Sequence, residues 1–173
     1  MEALRHPHPS VKPERRFVEF RAEGEGVIAG TVVRYGDVAA FGEWSETFEP
    51  GSLTFDDPIV NLMHRREAPV ARLGAGLTLS DSTASLTARV DPPDTRYGRE
   101  ARELVEARIL RGFSMEFVAE DERLDGRRRV VRAARLVGIG LVDRPAYPDS
   151  AVAARFAEAY GAPRRARRRR FRV

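Results

Sequence analysis

Apolar and polar positions alternate along most of this chain, and the alternation predicts a protein built mainly of strands. Phe17-Val18-Glu19-Phe20 opens an alternating strand after a Pro- and His-punctuated stretch. Residues 27–33, Val-Ile-Ala-Gly-Thr-Val-Val, form a β-rich run punctuated by Gly24, Gly26 and Gly36, the signature of a core strand. Residues 41–48 mix aromatic with turn residues, and Glu49-Pro50-Gly51-Ser52 reads as a turn entering a short helix or loop. Ile59-Val60-Asn61-Leu62-Met63-His64 is a further buried strand with His64 at its exit. Short strands over 70–74 and 77–80, then a period-two strand over 84–90, suggest a meander.

After Asp91-Pro92-Pro93-Asp94-Thr95 the spacing becomes helical from Arg96 to Leu110. Ala101, Leu104, Val105 and Ile109 supply the stripe, Asp94 or Thr95 the cap, and Gly112 the stop. The helix delivers the chain to Gly112-Phe113-Ser114-Met115-Glu116-Phe117. Strand alternation there turns Phe113, Met115 and Phe117 one way and Ser114, Glu116 and Val118 the other. Asp125-Gly126 marks a hairpin turn into a strand over 129–132. A buried strand over 136–142 follows, and Asp149 or Ser150 can cap a final helix that runs to Tyr160 and closes at Gly161.

This order predicts an α+β domain, mainly β. A length of 173 residues suits one domain with a real core. The expected division is a flexible arm over 1–16, the domain over 17–161 and a disordered tail over 162–173. No run of about 18 apolar residues or apolar signal core is read, and cysteine is absent, so thiol nucleophiles and disulfides are excluded and a cytoplasmic location is expected. The formal net charge of +4 resides in the tail, where Pro163 to Val173 is almost all arginine; the remainder is mildly acidic. Such a block suits contact with nucleic acid or an acidic protein surface.

His64 is the only histidine outside the N-terminal arm, and so the only conventional base available to a serine. Taken alone it also reads as a polar residue ending a strand, and Ser114 as a small residue at a helix-to-strand junction. If the fold brings the two together, they make a hydroxyl nucleophile and its base. His6-Pro7-His8 is a poor metal site, and Asp91, Asp94 and Glu120-Asp121-Glu122 read as solvated loop and hairpin residues. No metal or cofactor is expected, and no phosphate-cradling glycine loop is present.

Five segments in order resemble the caudovirus prohead serine proteases of the HK97 phage type. They are Glu49-Pro50-Gly51-Ser52-Leu53, Asn61-Leu62-Met63-His64, Leu73-Gly74, the helix into Gly112-Phe113-Ser114-Met115-Glu116-Phe117, and the block Leu141-Val142-Asp143-Arg144-Pro145-Ala146-Tyr147-Pro148. The similarity runs from about Val27 to Val152. It implies a fold like herpesvirus assemblin, a closed or partly closed antiparallel β-barrel flanked by helices. It also implies a head-maturation endopeptidase in the procapsid, in the host cytoplasm, that cuts the scaffold region of the major capsid protein and often itself. His64 would be the base and Ser114 the nucleophile. Backbone donors around Arg144 and Ala146 would hold the oxyanion, with the Arg144 side chain stabilising charge, holding the turn or simply solvated. Relatives of this type lead us to expect a homodimer.

One departure bears on the third catalytic residue. The family carries a Glu-Val-Ser-Leu-like strand before the last block, where this chain reads Val137-Gly138-Ile139-Gly140-Leu141, with Gly138 in the acidic place and Gly140 in the serine place. Asp143, just beyond the strand, is the first substitute, and Glu116, on Ser114's face, is the other. The alternative function is a catalytically weakened scaffold or nucleic-acid-binding procapsid component that acts through its arginine tail.

Overall fold

The computed structural model describes residues 14–23, 26–41 and 43–143. The final helix expected after Asp149, the tail and residues 1–13 of the arm lie outside the described residues, while residues 14–16 of the arm belong to β1. In chain order the elements are β1 (Glu14–Glu23), β2 (Val27–Arg34), β3 (Ala39–Phe41), β4 (Trp44–Phe48), β5 (Leu53–Thr54), β6 (Ile59–Leu62), β7 (Pro69–Leu73), β8 (Gly76–Asp81), β9 (Ser85–Val90), α1 (Arg96–Glu106), β10 (Gly112–Asp125) and β11 (Arg128–Val142).

The mainly β reading holds, and the expected all-antiparallel pairing is corrected to a mixed one. The strands make one large mixed sheet in the order β10-β1-β2-β9-β8-β7-β6-β11-β4-β3, with β5 on β11 and a further pairing of β10 with β11. β11 runs antiparallel to β10 but parallel to β4, β5 and β6. Parallel pairing arises because β4, β5 and β6 precede α1 and the β10 hairpin, and this long excursion returns the chain in the same sense. One helix is present among the described residues, where flanking helices were expected.

Local signals explain the helix. The Thr95 side chain accepts from the Gly98 N–H at 3.1 Å, which makes Thr95 the cap. Gly98 is required by space, since a Cβ there would meet the Pro93 carbonyl oxygen at 1.9 Å. The helix ends at Glu106, short of the predicted Leu110. Arg108 turns left-handed (φ 57) and Ile109 N–H bonds back to the Leu104 carbonyl at 2.9 Å, so Arg108 supplies the stop assigned to Gly112. Arg111 N–H then donates to the Val142 carbonyl at 2.8 Å and sets β10 against β11.

The β10–β11 hairpin is the spine of the molecule. Its two-residue turn follows Asp125 with Gly126 at φ 62, as Asp125-Gly126 predicted. The two strands expected over 129–132 and 136–142 are a single continuous strand. An irregularity between Glu116 and Phe117 explains the apparent break: Glu116 pairs with Gly138 and Phe117 with Leu136, so Val137 is the extra residue of a bulge. The bulge shifts the phase of alternation, and Leu136, Ile139 and Leu141 all reach the core. There they join Phe113, Met115 and Phe117, with Phe20 tilted against Phe113 and Phe48 edge-on to Phe117, both at 5.1 Å between ring centres.

Candidate active site

Ser114 sits on the face of β10 turned away from Phe113 and Met115, in a strand flanked by β1 and β11. Both faces of this segment are buried, Ser114 being 6% exposed. Its partner on β11 is Gly140, and two residues on, Glu116 is opposite Gly138. Cα partners across a ladder turn their side chains to the same face, so Ser114, Glu116, Gly138 and Gly140 surround one patch. On the other side of β11, Asn61 of β6 pairs with Gly140 and Ile59 with Gly138. A row Ser114-Gly140-Asn61 therefore crosses three strands, each step about 4.8 Å.

His64 lies over the middle of that row. The chain leaves β6 through Met63 and His64, both left-handed (φ 51 and 59), and the turn is fixed by Met63 N–H to the Leu141 carbonyl at 3.0 Å and Arg65 N–H to the Leu62 carbonyl at 2.9 Å. Left-handed conformations cost L-residues free energy, so two in succession mark a site the surroundings over-determine. A Cβ added to Gly140 would lie 2.7 Å from Cε1 and 2.8 Å from both Nδ1 and Nε2 of His64. The imidazole occupies the space a side chain at 140 would fill, one cross-strand step from Ser114. The sequence placed His64 at a strand exit; the structure places it in the following turn, folded back onto β11.

The carboxylate against this ring is Glu116. Nδ1 of His64 lies 3.0 Å from Glu116 Oε1, with side chains 7% and 9% exposed. This is an ion-pair distance without the alignment of a hydrogen bond; Nε2 is buried with no hydrogen-bond partner. A carboxylate on one ring nitrogen favours the proton there and leaves the other as the basic site. The Asn61 carboxamide oxygen is likewise buried without a partner.

Of the residues nominated from sequence, the fold brings together His64, Ser114 and Glu116. Asp143, the first substitute for the missing acid, is exposed past the end of β11, where its carbonyl accepts from Arg111 Nε at 3.3 Å. Arg144 and Ala146 lie outside the described residues. Gly138 and Gly140, read from sequence as a loss, instead make room: a Cβ at 138 would stand 3.4 Å from Glu116 Oε2 and 3.1 Å from the Ile59 carbonyl oxygen. Neither glycine needs a left-handed backbone, so space is what each supplies. Asn61 was quoted only as part of a strand; its register opposite Gly140 is the signal that sequence could not show.

Comparison with protein-family models matches residues 13–162 to the caudovirus prohead serine proteases. The chain belongs to that family. The match covers most of the chain, from before β1 to beyond the last described residue, and with it the chain is a member of a serine protease family of phage capsid maturation. No curated protein and no solved structure matches it. No helix of the described residues is long and apolar enough to cross a membrane.

Proposed function

We propose that this prohead protease cuts peptide bonds with a Ser114-His64-Glu116 triad. The observation that carries the reading is the seating of the His64 ring over Gly140, the cross-strand partner of Ser114, with Glu116 at its Nδ1. Glu116 holds the Nδ1 proton and orients the ring. Nε2 takes the Ser114 hydroxyl proton as Oγ attacks the scissile carbonyl, then passes it to the leaving amine. Water enters, gives its proton to Nε2 and hydrolyses the acyl-enzyme, which restores Ser114. A carboxylate at 9% exposure also stabilises the imidazolium formed on the way, because little water screens the pair.

On this reading the substrate is the scaffold region of the major capsid protein, cut inside the procapsid in the host cytoplasm, and the protease also trims itself. The family match supports the capsid as the target. The homodimer rests on resemblance to other members, and a scaffold or nucleic-acid contact rests on the charge of the 162–173 tail. The test is the intact mass of capsid precursor co-expressed with the wild-type protein or with Ser114→Ala. Discrete truncation by the wild type alone is expected, since losing the nucleophile removes about 10⁴-fold or more of the rate. Uncut precursor with both folded forms would favour the alternative, a scaffolding or nucleic-acid-binding component that works through its tail.

A further inference from the structure

We infer that Gly138 and Gly140 are positioning residues of the triad, and that they form a slot into which the carboxylate can be delivered from either strand of the β10–β11 ladder. This deepens the triad reading and rests on it. The imidazole and the Glu116 carboxylate occupy the places of the two side chains that β11 lacks. At 140 the exclusion is severe, because three ring atoms would stand within 2.8 Å of a Cβ, and the ring has little freedom to withdraw. Its backbone is a left-handed turn hydrogen-bonded to Leu141 through Met63. With the ring seated as it is in this chain, alanine at 140 is therefore expected to push the base aside.

At 138 the exclusion is milder and the pairing matters more. Glu116 and Gly138 are direct partners, their side-chain positions face the same patch, and only one of the two carries a side chain. A glutamate at 138 beside a glycine at 116 would start its side chain one strand over and reach the same slot. Two glutamates facing each other would put like charges together in a buried space, which is unfavourable. The site thus needs one acid and one glycine across this rung, and tolerates the exchange of strands. The Cβ at 138 would press on the Ile59 carbonyl oxygen at 3.1 Å, so the exchange is expected to restore function in part.

The experiment compares the full-length wild type with Gly140→Ala, Glu116→Gly, Gly138→Glu and the double variant Glu116→Gly with Gly138→Glu. Two readouts are taken: the rate at which a fluorophosphonate probe labels Ser114, and the nitrogen NMR signals of the His64 imidazole, assigned with His64→Gln. Melting curves show which variants fold. Gly140→Ala is expected to label about 100-fold more slowly, the scale of a misplacement of about 1 Å, and to lose the wild-type His64 signals while folded. The double variant is expected to label at least about tenfold faster than either single variant, and this exchange tests the slot even if Gly140→Ala does not fold. A folded Gly140→Ala with wild-type labelling and wild-type His64 signals would overturn the proposal, as would a folded double variant no faster than its slower parent. If the wild type is not labelled but its His64 signals depend on Glu116 and shift in Gly140→Ala, the triad reading fails and the slot stands. His64 signals indifferent to both Glu116 and Gly140 would sink the slot whatever the labelling shows.

Discussion

The two halves of the β10–β11 hairpin use the same ladder for opposite ends. Near the helix, residues 112–117 face 136–142 with both surfaces buried, a polar patch on one side and Phe113, Met115 and Phe117 on the other. Toward the turn, residues 118–125 face 128–135 with most side chains half-buried or exposed, and charge pairs replace the polar patch. Arg132 pairs with Asp121 at 2.6 Å and Arg135 with Glu120 at 3.3 Å, each with both partners near half exposure. Arg129 is the exception. It is buried, contacts Glu46 of β4 at 2.8 Å and donates through Nε to Glu122 at 2.7 Å, which ties three strands together. At Arg129 all three guanidinium nitrogens donate to carboxylates, whereas neither ring nitrogen of His64 has a hydrogen-bond partner, although Nδ1 lies 3.0 Å from Glu116 Oε1. Burial with full pairing makes a pin; a buried ring without hydrogen bonds is left able to exchange a proton.

This contrast is sharpened first by Glu116→Gln. The variant keeps the shape of the slot and removes its charge, so precursor cleavage should fall by about 10²- to 10⁴-fold while the melting temperature changes little. A large loss of stability with unaltered turnover in the folded fraction would make Glu116 a second pin and break the comparison.

At the other end, Arg129→Leu removes the guanidinium paired with buried Glu46. Urea unfolding should show a loss of about 3–5 kcal/mol, with probe labelling of Ser114 in the folded fraction near wild type. The exposed pairs should matter much less: Arg132→Ala is expected to cost about 1 kcal/mol or less, since solvent and salt screen a pair half open to water.

The smallest effect is in pH dependence. Asp57 and Asp94 are exposed, and the side-chain hydrogen bonds from Arg72 and Arg99 hold their carboxyls below the ordinary value of 3.8. A depressed carboxyl contributes stability that is present above its unfolded pKa and is lost as pH falls through the folded value. Acid titration below about pH 4 should therefore remove a small, salt-sensitive increment, and Asp94→Asn should flatten that part of the curve. An increment unaffected by salt would mean these pairs are less solvated than their exposure implies.

Much of this architecture was readable in advance where the determining forces are local. Alternation over 27–33 and 84–90, the Thr95 cap and the Asp125-Gly126 turn each depend on neighbours a few residues apart. The same period-two logic put Ser114 and Glu116 on one face. The helix end escaped because a left-handed Arg108 carries no glycine signal, and the union of 129–132 with 136–142 escaped because the bulge at Val137 breaks the alternation. Parallel pairing of β11 with β4, β5 and β6 has no local mark.

For the site, the sequence by itself nominated His64 and Ser114, since no other base lies outside the arm, and kept Glu116 among the candidate acids. Only the tertiary structure decided that Glu116 lies against His64. That outcome depends on the β10–β11 register, which sets Glu116 against Gly138, and on a left-handed turn that folds His64 back over Gly140. Glycine in a sequence registers as a missing side chain. Whether the gap is a defect or a seat is decided by what the long-range pairing brings into it, and here it brings the imidazole and its carboxylate.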